Sequence, residues 1–534
     1  MNDQRFTHYG GIVGNPVLPE NEWSDAQMAA LRDLGLNMLQ LNLAWGNRPG
    51  GEVLNLEDLD DEHRAQFHYR ISQAEKFGFR VVPHFGVPRM AQTAPPKVVA
   101  SCILDDTVRE KYKALLRDLI TEFPSLRDVM IYTYDQDSWI CDEFGDCPRC
   151  SGVPIYDRLP GFINDLKDEL QTARPGTTLW WQPWEISAGQ SYKIIERIEP
   201  GNFGVVINNA LAETYFTNTA DLWVDTVVRL CYERGIPVIG ELQFTGCGVG
   251  CHSVQRLPCP KLVYDQIAAF AALDGVVGIR EHFGVAVSKL SVNTSLFKEY
   301  VAAPSDSYER LVSRVAAAYG SVGDQLRKAW QKVSEGVKFI PYEATYAFSD
   351  ITFFDPAHSW DAVEHRGRYW QTPAWESNRR AYYMVTRRTE IHPWLLEDVG
   401  LRLGLAADCL KEAAGIIGVA LAQMSVEAPM REDVDAQYED VLSVARSLRG
   451  TSLHYLETLA AYDLRAARTQ CNGGKWLAGV ERMRLLLEQD CQNRDNAEDA
   501  RRQLAAFNAD PQVWINTHMV NRFDYEQRNL TLVI

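Results

Sequence analysis

The stretch Asp128-Val-Met-Ile-Tyr-Thr-Tyr-Asp135-Gln-Asp137-Ser-Trp139-Ile-Cys141 decides how this chain is read. It is a short apolar run that ends abruptly on two carboxylates and an indole, and Cys147-Pro-Arg-Cys150 closes the loop behind it. A run of this kind reads as a buried strand. Amphipathic segments flank it, Asp105–Phe123 before and Tyr156–Ala173 after. A strand between two helices is the unit of a parallel α/β sheet, in which the C-terminal strand ends carry the chemistry.

The same unit recurs in both directions. Strands are predicted at Tyr9–Gly14, Asn37–Ala44, Phe79–Phe85, Thr177–Gln182, Phe203–Asn208, Ile236–Leu242 and Val276–Glu281. Helices are predicted at Ser24–Leu34, which begins on a serine cap, and near Asp60–Phe77, Ser191–Ile198, Ala220–Gly235, Pro260–Leu273 and Asn293–Val301. Gly35, Gly78 and Gly235 stand between a helix and the next strand, where a helix C-cap belongs. Eight strand–helix units are the count of a closed (β/α)8 TIM barrel. An open doubly wound sheet is the alternative, but no Gly-x-Gly-x-x-Gly follows the first strand.

After Pro304 the pattern becomes mainly α-helical, with long segments at Ser305–Gly336, Ser377–Thr386, Trp394–Met424, Asp433–Gln470 and Trp476–Asn508. Strand signals are nearly absent until Leu530–Ile534. The expected organisation is a catalytic barrel over residues 1–303 and a helical domain over 304–534. An aromatic-rich loop at 339–375 is expected to reach the active site. A chain of 534 residues exceeds one hydrophobic core.

The formal net charge of −17 argues against nucleic acid or an anionic membrane as the main partner. There is no uninterrupted apolar run of bilayer length, and the N-terminal residues show no apolar signal segment, so a cytoplasmic protein is expected. The helical part offers a surface for a homodimer. Eleven cysteines, an odd number in a long chain, fit reduced thiols and a metal site better than a disulfide framework.

The strand ends supply Asn15, then Asn42, Trp45 and Arg48, then His84 and Arg89. Asp135, Asp137 and Trp139 follow, then Trp181, Trp184 and Glu185, then Asn208 and Asn209. The last two strands give Glu241, Gln243, Arg280, Glu281 and His282. Carboxylates interleaved with Trp, Asn and Arg make a sugar-binding cleft: indoles stack on flat pyranose faces, and hydroxyls take polar partners. Glycoside hydrolysis needs two carboxyl groups flanking one bond. Asp135 and Asp137, one residue apart, would raise one another's pKa and suit a proton donor, though either could simply orient the loop. Glu241, at the end of strand seven and across the mouth from strand four, is the expected nucleophile or base. Glu281 and Glu185 are reserves, while His84 and His282 read as hydrogen-bonders.

Cys141, Cys147 and Cys150 offer three thiolates, and Cys102 from the neighbouring loop is the natural fourth ligand of a structural zinc. Free thiols are the plain alternative. Cys247, Cys251, His252 and Cys259 form a second group with less typical spacing. No organic cofactor is implied.

Cys102-Ile-Leu-Asp-Asp-Thr-Val-Arg109-Glu, the helix after it, and Tyr-Thr-Tyr-Asp135-x-Asp137 resemble strands three and four of barrel glycosidases. In that group a strand-four acid precedes a Cys-Pro-x-Cys loop. Val292-Asn293-Thr-Ser-Leu-Phe297, Pro304 and Ala329-Trp330-x3-Ser334-Glu335 are similar to the junction with a helical C-terminal domain. Family-20-like hexosaminidases, α-glucuronidases and barrel sialidases share this layout, and the resemblance covers roughly residues 100–340. Hexosaminidases carry Asp-Glu where this chain has Asp135-Gln136-Asp137, so assisted attack by an acetamido group does not carry over. No arginine triad for a sialic acid is evident, although Arg48, Arg89 and Arg280 could gather in space.

The resemblance implies glycosidase chemistry with the sugar open. The expectation is a glycoside hydrolase acting on a carbohydrate, with Asp137 or Asp135 as donor and Trp45, Trp139, Trp181 and Trp184 as platform. A metal-dependent hydrolase using His84, His282 and the acids, and a non-catalytic carbohydrate-binding barrel, are the alternatives.

Overall fold

The computed structural model describes residues 12–14, 23–42, 60–89, 91–93, 97–99, 101–134, 140–184, 186–207, 222–242, 257–281, 291–340, 390–391, 393–493, 498–522 and 531–532. Eight parallel strands close into a barrel. They are β1 (Ile12–Gly14), β2 (Met38–Asn42), β3 (Arg80–Gly86), β4 (Asp128–Tyr132), β5 (Thr178–Gln182), β6 (Phe203–Ile207), β7 (Val238–Leu242) and β8 (Val276–Glu281). Each strand pairs with the next, and β8 returns to β1 through Ile12↔Ile279 and Val13↔Arg280. The (β/α)8 expectation holds.

A helix follows every strand: α1 (Asp25–Asp33), α2 (Asp61–Lys76), α3 (Asp106–Glu122), α4 (Ile155–Ala173), α5 (Ala188–Ile195), α6 (Leu222–Glu233), α7 (Pro260–Ala271) and α8 (Val292–Ala302). Ser24 and Gln27 form a capping box that starts α1, and Asp60 and Asp105 cap α2 and α3. Gly35, Gly78 and Gly235 all have positive φ, which is why glycine ends these helices. A short antiparallel hairpin, Ala91–Thr93 with Lys97–Val99, stands between β3 and α3 without a signal in the sequence pattern.

The barrel interior is layered. One side chain from each strand makes the middle layer: Val13, Met38, Val82, Met130, Trp180, Val206 and Ile239, with Val277 packed against them. Beneath it Arg80 pairs with buried Asp128, which also accepts the Trp180 indole N–H at 2.9 Å. Burial pushes the Asp128 carboxyl up, against the pull of Arg80 and the indole. Strand alternation sends residues two positions further along into the layer above. In β8 that rule needs help, because Val277 and Arg280 are three apart yet both face inward. The β7–β8 register shifts between Val276 and Gly278, and this bulge restores the parity.

The chain divides into two compact units, with the boundary after Leu311 inside α9 (Tyr308–Ala317). The second unit is built of α10 (Gly323–Val337), α11 (Pro393–Gln423), α12 (Arg431–Thr469), α13 (Gly473–Asn493), α14 (Glu498–Ala509) and α15 (Pro511–Arg522). Gly400 and Gly404 of α11 lie against the Ser452–Leu456 turn of α12, and Gly418 lies against Tyr438. The pairing is therefore antiparallel, with small residues letting the axes approach. Trp330 donates to Gln437 at 2.8 Å, and Gln437 and Tyr319 both donate to Asp433 at 2.7 Å, tying α10 to α12.

Two expected helices are each broken. Ser305–Gly336 becomes α9 and α10 around a 3-10 turn at Gly320–Val322, and Trp476–Asn508 becomes α13 and α14. Helix α15 was missed, and Thr531–Leu532 pairs with Glu390–Ile391. Ser377–Thr386 and nearly all of 339–375 lie outside the described residues. Among the described residues no helix is long and apolar enough to cross a membrane.

Gly204 faces inward beside Trp180, and a Cβ there would lie 2.3 Å from the indole ring. Gly204→Ala is expected to cost about 1–3 kcal/mol by overpacking. Gly189→Ala, in α5 with nothing within 4 Å of its would-be Cβ, should be neutral or stabilising by up to about 1 kcal/mol. Denaturant midpoints of the two variants check the pair.

Candidate active site

Above the middle layer, five inward side chains close a ring. Arg280 Nε donates to Gln40 Oε1 at 2.6 Å, and Gln40 Nε2 meets His84 Nδ1 at 3.2 Å. His84 Nε2 meets Gln182 Oε1 at 3.1 Å, and Gln182 Nε2 reaches both oxygens of Glu241 at 3.1 and 3.0 Å. Arg280 Nη1 donates to Glu241 Oε1 and completes the circuit. The members come from β2, β3, β5, β7 and β8. Gln40, Gln182, Glu241 and Arg280 are each at most 3% exposed, so water does not compete for these bonds.

The ring has one possible direction. A guanidinium only donates, and a carboxylate bonded in this way only accepts. Arg280 therefore fixes the carbonyl of Gln40 toward itself and turns its amide N–H to His84. His84 Nδ1 must accept, so the proton is on Nε2 and is donated to Gln182. Gln182 then presents its N–H group to Glu241, which accepts from both Gln182 and Arg280.

Next to the ring, the His84 and Tyr132 rings lie 5.2 Å apart, and Tyr132 packs against Trp184. These two aromatics form an apolar wall above the polar layer. Asn42 ends β2 in register with His84. Glu281 ends β8 in register with Leu242 and alternates with Arg280. It is fully buried on the opposite side of the sheet from Glu241. Trp181 does not serve as a platform: it is fully buried, and its indole donates to Thr133 Oγ1 at 3.3 Å. Trp45, Arg48, Asp135, Asp137, Trp139, Glu185, Asn208 and His282 lie outside the described residues, as do Asn15, Asn209 and Gln243.

Gln40, Gln182 and Tyr132 were not singled out in the sequence. A signal existed for the two glutamines: each is polar at the inward parity of a mainly apolar strand. His84 cannot supply a metal ligand while this network stands, since both ring nitrogens are engaged.

A second cluster lies in the loops after β3 and β4. The sulfurs of Cys102, Cys141, Cys147 and Cys150 are all within 4.8 Å of one another and could hold a metal ion. Four thiolates around zinc would stand about 3.8 Å apart, given Zn–S bonds of about 2.3 Å, so the spacing fits. Burial opposes ionisation of Cys147, but the backbone N–H groups of Arg149 and Cys150 and the neighbouring thiols bring it down to about 7. Burial and the charge of Cys147 push Cys141 up to about 12, and burial with Cys102 pushes Cys150 up. Four sulfurs this close ionise together only beside a cation. Among the described residues no other such group gathers. Cys259 is buried, and Cys247, Cys251 and His252 lie outside the described residues.

Arg280→Met strands a buried carboxylate and is expected to cost about 3–5 kcal/mol. Adding Glu241→Gln should return most of that loss. Equilibrium unfolding of the two single variants and the double variant measures the coupling.

No protein-family model matches the chain, and no curated protein matches it. Solved structures do. A GH138 enzyme described as targeting pectin rhamnogalacturonan II aligns over 96% of this chain and 81% of its own, at 10% identity and a TM-score of 0.56. An O-GlcNAc hydrolase mutant of Thermobaculum terrenum aligns over 97% and 98%, at 13% identity and a TM-score of 0.46. PbGH5A, a family 5 glycoside hydrolase from Prevotella bryantii, aligns over 55% and 94%, at 14% identity and a TM-score of 0.38. At these identities the likeness is one of fold, and the first comparison carries it: the chain has a barrel architecture also found among glycoside hydrolases.

Proposed function

We propose that this chain is a glycoside hydrolase that works at the C-terminal ends of its barrel strands on a carbohydrate substrate. The observation that carries this is Glu241, a fully buried carboxyl that accepts from Arg280 and Gln182 at the inner mouth of the barrel, beside the aromatic wall of Tyr132 and Trp184. A carboxylate surrounded by donors does not give up a proton, so Glu241 is assigned the anionic role of nucleophile, base or stabiliser of an oxocarbenium-like transition state. The donor then comes from strand four, as Asp135 or Asp137, three and five residues beyond Tyr132. Trp184 contributes to the sugar platform, with Asn42, Trp45, Arg48, Trp139, Glu185, Asn208 and His282 as further substrate contacts. Arg280 and His84 act through the ring, holding Glu241 in place. The cysteine cluster is assigned a structural zinc.

A metal-dependent hydrolase is disfavoured because His84 would have to break two hydrogen bonds to bind an ion. A carbohydrate-binding barrel without turnover is separated by experiment.

Incubation with a panel of chromogenic glycosides and plant cell-wall oligosaccharides should show turnover, and NMR of the first-formed anomer gives the stereochemistry. A separation of the two catalytic carboxyls of about 5 Å goes with retention and about 6.5–9.5 Å with inversion. Glu241→Gln and one of Asp135→Asn or Asp137→Asn should each lower kcat by about 10²–10⁴-fold. If Glu241→Gln and both Asp variants left turnover intact, the assignment would be wrong.

A further inference from the structure

The four-cysteine cluster is placed to do more than stabilise a loop. Its ligands come from two consecutive loops on the catalytic face, Cys102 ahead of α3 and the other three between β4 and α4. None lies on a barrel strand or in the three interior layers. The loop bearing Cys141, Cys147 and Cys150 is already folded by its own backbone: Gly152 N–H donates to Glu143 at 2.8 Å, Ser151 to Cys147 at 2.9 Å and Val153 to Cys150 at 2.9 Å. Arg158 of α4 anchors its end by donating to the Val153 carbonyl at 3.0 Å. A metal is therefore not needed to shape this knuckle. It would join the knuckle to Cys102.

That junction matters because of what adjoins it. Ser101 bridges Ile140, and Cys141 N–H donates to Ser101 O at 3.0 Å, so ligands Cys102 and Cys141 sit directly beside a backbone strap. The Ile140 carbonyl accepts the buried Tyr134 hydroxyl at 2.8 Å. Tyr134 and Ile140 flank a stretch of five residues in the sequence, and that stretch contains Asp135 and Asp137. Among the described residues, the Arg149–Asp105 pair also crosses the junction, 3.1 Å long and half in solvent at its arginine, which is a weak constraint.

We propose that a zinc ion on Cys102, Cys141, Cys147 and Cys150 is a local clamp on the catalytic face: its occupancy governs turnover by fixing the far end of the Asp135–Asp137 segment, while the barrel folds without it. The functional half of this rests on the glycosidase assignment. It separates this site from small zinc domains, whose folding free energy is the metal's binding energy. The hydrophobic middle layer and the ring have no cysteine ligand among their members, so they persist when the metal leaves. A donor displaced by about 1 Å costs on the order of 10²-fold in rate.

The test uses the full chain, prepared with zinc, then stripped by chelation, and in parallel as Cys102→Ser and Cys141→Ser. Elemental analysis should find about one zinc per chain in the wild type and a marked loss in each variant. Hydrogen exchange should rise in peptides covering 134–153 and stay unchanged in those covering β3, β5 and β7. On an active glycoside, kcat should fall by about 10–100-fold with KM nearly constant, and zinc should restore both exchange protection and kcat to the stripped protein. Zinc-free wild type with unchanged exchange at 134–153 overturns the clamp, as does absence of stoichiometric zinc. Loss of protection in the barrel strands overturns its local character. If the zinc-loaded wild type cleaves no glycoside, the glycosidase assignment falls, while metal content and exchange still decide whether the clamp exists.

Discussion

A donor-only cation and a carboxyl that accepts from it, Arg280 and Glu241, sit side by side in the barrel interior, both buried, and the upper barrel is organised around them. Alone, such a pair gains little over an apolar replacement, because desolvation offsets its attraction. Here the remaining lone pairs and protons are passed around the barrel through Gln40, His84 and Gln182 until they return to the start. Closure leaves each amide one orientation and the imidazole one tautomer. The ring thus sets the floor of the mouth with little freedom, which is what a site needs if it is to hold a charge in register with a substrate.

Most of the barrel was legible in the sequence because its signals are local. Strands of five or so apolar residues, helices capped by Ser24, Asp60 and Asp105, and glycines that stop helices all lie within a few residues of the structure they specify. The site was legible only in part. Residue type alone favours Trp, Asp and Glu at strand ends over the glutamines that wire the ring. Glu281 shows the limit of that approach: one position beyond Arg280, it belongs to the other side of the sheet. Trp181 shows it too, since an indole one position from the inward-facing Gln182 is core.

The cysteines were easier, for a physical reason. Metal-ligand spacing is a short-range pattern, and consecutive loops of a barrel are neighbours, so Cys102 could be matched to the Cys141–Cys150 loop without coordinates. The helical unit was harder. Its breaks at Gly320–Val322 and between α13 and α14 interrupt sequences with continuous helical period, and the period does not record where a chain turns. The hairpin at 91–99 left no signal, being two strands of three residues each.

The bulge in β8 and the charge pair above it depend on one another. With an even register, Arg280 would leave the interior, and Glu241 would be buried against no cation from that strand. The additional residue beside Val277 is thus bound to the ring by geometry: neither could be gained or lost on its own without stranding a charge. An insertion or deletion of one residue in this strand would therefore act on the charge balance of the mouth as strongly as a substitution of Arg280 itself.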